Sequence, residues 1–104
     1  MSGNFFMKHF IVELTYVASL EKVEALVVSH RAFLQQGYDR GLLLFSGPQN
    51  PRTGGWIVGR AASRKEFERF FAEDPFLKEG VASYRFVEFQ PVKYQPFLRD
   101  WIGG

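Results

Sequence analysis

A chain of 104 residues, with 46% hydrophobic and 17% aromatic side chains, has room for one core and is too apolar to stay disordered. Its formal charge of +2 comes from 13 basic and 11 acidic residues scattered along the chain, so no basic block points to nucleic acid. The lack of cysteine excludes disulfides and thiolate chemistry, and no apolar run approaches the roughly 18 residues of a membrane span or the core of a signal peptide, which makes a cytoplasmic protein the expectation.

Met7 opens the first periodic segment, leaving residues 1–6 as an N-terminal extension. In "MKHFIVELTYV", Phe10, Val12, Leu14 and Tyr16 alternate with His9, Ile11, Glu13 and Thr15, the period of two that marks a strand. From Ser19 the spacing changes. Leu20, Val23, Val27, His30 and Leu34 recur at steps of three and four, which predicts a helix over 20–37 with Ser19 as N-cap and Gly37 as its stop. Two strands, over 42–46 and 56–62, flank the Pro- and Gly-rich loop "QNPRTGG". Ser63 and Glu66 have the spacing of a capping box, and Phe67, Phe70 and Phe71 form the apolar stripe of a second helix over 64–72. "DPFLKEG" predicts a short helical turn capped by Asp74 with Pro75 in the first position, and "SYRFVEFQPV" alternates again as the fourth strand. Residues 94–104 carry Tyr94, Phe97, Leu98, Trp101 and Ile102, too much apolar surface to remain in solvent, so this aromatic tail is expected to dock.

The order βαββαβ predicts an α+β, ferredoxin-like domain over 7–93, with a four-stranded antiparallel sheet covered on one face by two helices. Strand 4 offers Tyr84 and Phe86 on one face and Val87 and Phe89 on the other. Helices cover one side only, so a homodimer is expected, a barrel-like α/β assembly in which the tail crosses to the other subunit.

Few residues carry chemistry. His30 lies on the apolar stripe of the first helix, where it reads either as a core histidine with satisfied ring nitrogens or as a proton-transfer group. Asp74 likewise reads as a helix cap or as a catalytic carboxylate. Ser46 before Gly47-Pro48 is a common turn residue without a nucleophile elbow around it. His9 reads as an ordinary strand residue, and two histidines without a spaced carboxylate cluster make no metal site. Gly54-Gly55 lacks the spacing and following helix of a phosphate loop, so no cofactor is expected, and "RAASRKEFER" reads as a solvated helix face.

Taken together, "VVSHRAFL", "RGLLLFSGP" and "EDPFLKEGV" resemble the YCII-related proteins over about residues 7–93. The resemblance implies a small dimeric ferredoxin-like protein in which His30 and Asp74 meet in a pocket as a catalytic pair, with Ser46 as a weaker third member. Some relatives carry an Arg-Pro pair shortly before the histidine where this chain has Val27-Val28, so an anion grip by that arginine is not implied. One branch of the family resembles dehydrochlorinases of chlorinated, hydroxylated aromatics. Two functions follow as expectations. One is a cofactor-independent lyase or isomerase in which His30 abstracts a proton, Asp74 orients it and Ser46 steadies a developing oxyanion. The other is a non-catalytic module that binds a small molecule or serves an assembly.

Overall fold

The protein is described by a computed structural model over residues 7–103, so the extension at 1–6 lies outside the described residues. Its elements are β1 (Lys8–Tyr16), α1 (Leu20–Glu24), α2 (Val27–Asp39), β2 (Leu43–Pro48), β3 (Gly54–Ala61), α3 (Arg64–Phe71), α4 (Pro75–Lys78), β4 (Ala82–Phe89), a 3-10 turn (Pro96–Leu98) and α5 (Arg99–Gly103). The sheet order β2-β3-β1-β4, antiparallel throughout, is the ferredoxin-like arrangement the sequence predicts.

The alternation in β1 decides the two faces. Phe10, Val12 and Leu14 point under the helices and are buried, while Ile11 and Glu13 point away. Over Phe10 lies Phe67 of α3, with ring centroids 4.6 Å apart, and Phe71 packs beside it. Complete burial of each such phenylalanine contributes about 1.5–3 kcal/mol, which seats α3 on the sheet. A second cluster of Leu14, Val23, Phe76, Val81 and Ala82 lies at the other end of the domain and fixes α4.

The predicted helix over 20–37 is two helices, interrupted at Ala25 and Leu26. The first half serves one cluster and the second half bridges both, Val27 packing against the Phe76 group as well. Val23 of α1 enters the Phe76 group, whereas Phe33 and Leu34 of α2 enter the Phe10 group, and Leu20 is left exposed instead of joining the stripe. Ser19 does cap α1, accepting from the Lys22 N–H. Gly37 does not stop α2. It lies inside the helix, where a Cβ would meet Leu43 and Phe70 at 2.8 Å, and Gly41, with φ of 73°, supplies the left-handed turn beyond the end. Strands β2 and β3 also run further into the intervening loop than expected, because the pairing continues to Pro48 and Gly55.

Within the single chain described, the tail docks on its own sheet. The Arg60 guanidinium stacks 4.0 Å from the Trp101 ring and donates to the Trp101 carbonyl at 2.7 Å. Arg60 and His9 are register partners on the helix-free face, so α5 covers that end of it and buries His9, a strand residue opposite the Phe10 and Val12 face as its position in the alternation predicts. Burial lowers the His9 pKa, hydrogen bonding to Ile102 opposes this, and the nearby Arg60 charge adds to the lowering. A histidine that resists protonation when folded stabilises fully above its ordinary value of 6.5 and loses that contribution as pH falls through the folded value. Amide hydrogen exchange in α5 should therefore accelerate below that pH relative to exchange in α3, and His9→Phe should flatten the difference.

Candidate active site

Asp74 reaches its position because "EDPF" caps a helix. Its side chain accepts from the Phe76 N–H at 3.0 Å, and Pro75 needs no donor in the first position of α4. The same Oδ1 accepts from Nδ1 of His30 at 2.8 Å, across from α2. The other oxygen, Oδ2, accepts a hydrogen bond from the Tyr84 hydroxyl on β4. Asp74 is fully buried, and His30 is 9% exposed. A carboxylate in such a place requires several donors, and three are present. Burial, followed by the charge of Asp74, pushes the Tyr84 phenol well above its usual range, so it stays protonated and donates.

A carboxylate only accepts, which assigns the His30 proton to Nδ1 and leaves Nε2 as the basic nitrogen. Phe76 fixes the ring plane, stacked on the imidazole with centroids 3.8 Å apart and planes 2° from parallel. The imidazole borders a cavity of about 180 Å³ that Leu34, Ser46, Trp56 and Phe76 also line. An apolar cavity of about 150 Å³ accommodates benzene, so this space has room for one ring.

Ser46 borders the same cavity, and its Oγ lies 2.6 Å from the Tyr38 hydroxyl. It has no direct hydrogen bond to His30 or Asp74 among the described residues. With Tyr38 as donor, the Ser46 proton is available to the cavity. No group of three His, Asp or Glu side chains able to hold a metal occurs among the described residues. Sequence reasoning missed Tyr84 and Tyr38. The available signal for Tyr84 was a hydroxyl on the inward face of a strand, beside Phe86, where an unpartnered polar atom is costly.

A four-stranded ferredoxin-like sheet with a buried histidine–carboxylate pair beside a small cavity defines the class. The chain belongs to the YCII-related family, whose domain matches residues 7–90. No curated protein matches it in sequence. Among solved structures it is similar to TftG, the 5-chloro-2-hydroxyhydroquinone dehydrochlorinase of Burkholderia phenoliruptrix AC1100 in complex with 2,5-dihydroxybenzoquinone. That match has a TM-score of 0.66 at 20% identity and covers 86% of this chain and 97% of that one. Another similar protein is SnoaB, a cofactor-independent oxygenase from Streptomyces nogalater, with a TM-score of 0.52 at 13% identity over 88% of this chain and 98% of that one. At these identities the likeness establishes the shared fold. No described helix is long and apolar enough to cross a membrane.

Proposed function

We propose that the protein is a cofactor-independent enzyme, a lyase or isomerase, acting on a small aromatic or enolic substrate. The observation that carries this reading is the orientation of His30, with Nδ1 held by a fully buried carboxylate and the ring beside a one-ring cavity. Nε2 takes a proton from a C–H or O–H acidified by an adjacent carbonyl or ring. The released electron pair then either expels a leaving group from the neighbouring carbon, as a lyase requires, or is reprotonated elsewhere, as an isomerase requires. Asp74 stabilises the imidazolium formed, and Ser46 donates to the oxygen that gains charge. A buried structural histidine needs both nitrogens satisfied, whereas no described group bonds Nε2.

The dehydrochlorinase with a similar fold suggests the first substrates to try. Supplied with 5-chloro-2-hydroxyhydroquinone and related halogenated hydroxy-arenes, and with no cofactor added, the protein should release halide. 2,5-Dihydroxybenzoquinone should bind and perturb the His30 ring resonances. Binding without turnover of any such compound would favour the non-catalytic module instead.

The reading includes a homodimer through the helix-free face of the sheet. Phe45, Ile11, Val58 and Val87 cross that face in register, and Phe45 is 59% and Trp56 40% exposed. A second copy of the same sheet would cover this apolar band symmetrically. Light scattering should give the mass of a dimer, and Val58→Asp should yield a folded monomer. A monomeric wild type at micromolar concentration would sink the dimer.

A further inference from the structure

We propose that the cavity selects a planar, single-ring carboxylic acid, with the carboxylate gripped by Arg31 and Arg52 at the rim while the ring lies against His30. This rests on the reading of the cavity as a substrate site. The residues that border it include two arginines and no aspartate or glutamate. Arg31 is exposed and makes no ion pair among the described residues, so its guanidinium is available. Arg52 is held from outside by Glu24 and, at 3.4 Å, by the Tyr16 hydroxyl. The Glu24 side chain is half exposed, and exposed pairs of this kind are weakly held, so a ligand carboxylate can take its place.

The other carboxylate near the site offers no oxygen to an incoming acid. Asp74 is fully buried behind His30, and its oxygens are occupied by His30, the Phe76 N–H and Tyr84. The depth of the site separates two tasks: a sheltered base meets the ring, and exposed guanidiniums meet the charge. A planar fork of donors suits a carboxylate, and the positive rim draws an anion inward. The ring then fills the cavity of about 180 Å³, and its acid group stays at the mouth.

The probes are 4-hydroxybenzoate and 4-hydroxybenzamide, which share a shape and differ in charge. By calorimetric titration, the acid should bind at least about tenfold more tightly than the amide, an advantage that shrinks as salt is raised. Arg31→Gln and Arg52→Gln should each narrow the gap and together close it. Both residues are exposed, and the salt dependence of the wild type gives a readout that needs no variant. Equal affinity for the two probes, binding of neither, or an advantage that survives both substitutions would overturn the proposal. The catalytic reading fails separately: a protein that prefers the acid yet turns over no substrate retains the rim and loses the enzyme, and turnover without charge preference does the reverse.

Discussion

Asp74→Ala should cost the fold about 2–4 kcal/mol, as expected when a buried acceptor that serves several donors and a helix cap is removed. Three losses coincide at one side chain. The α4 cap disappears, a loss of about 0.5–2 kcal/mol, and the Tyr84 hydroxyl is left buried without its acceptor, at about 1–3 kcal/mol. His30 loses its partner as well, although the cavity beside it admits water. These terms share an environment and do not simply add. Because α4 carries Phe76, loosening it also disturbs the cluster of Leu14, Val23 and Ala82, so the damage spreads beyond the site. Asp74→Asn retains an oxygen to accept from Phe76 and His30 and should cost much less. Urea denaturation of both variants checks this. A change below about 1 kcal/mol for Asp74→Ala would mean that the carboxylate does not organise the site.

The legible part of the fold was its short-range part. Alternation in β1 and the Phe67, Phe70 and Phe71 stripe of α3 depend on one face of one element, and both stand as the spacing predicts. The break between α1 and α2 was not legible, because no Gly or Pro marks it and the apolar spacing runs on through Ala25 and Leu26. That the tail docks was legible, but its partner was not: Arg60, 41 residues from Trp101, reads with "RAASRKEFER" as a solvated helix face and instead lies at the end of β3, stacked on Trp101. For Asp74, capping α4 and pairing with His30 are compatible. A single oxygen caps α4 and accepts from His30, so a sequence pattern fully explained by capping still concealed a second use. The rim arginines had no local signal, since a surface arginine acquires meaning only from the cavity it borders.

His30→Gln should lower turnover of a substrate by about 100- to 10,000-fold while leaving the fold almost intact. Glutamine still offers an N–H toward Asp74 and a planar group against Phe76, so both contacts that seat the imidazole can be approximated. The carboxylate consequently keeps a donor, which His30→Ala would remove. What glutamine lacks is a nitrogen that takes up a proton near neutral pH, and the Asp74 charge then has no cation to stabilise. The loss should fall on kcat more than on KM, because cavity walls such as Leu34 and Phe76 are unchanged and hold the ring in the ground state. Thermal unfolding should shift by a few degrees at most, as suits a change within about 1 kcal/mol in a domain of this size. A variant with full turnover would remove His30 from the chemistry. One that fails to fold would make it the structural histidine of the alternative reading.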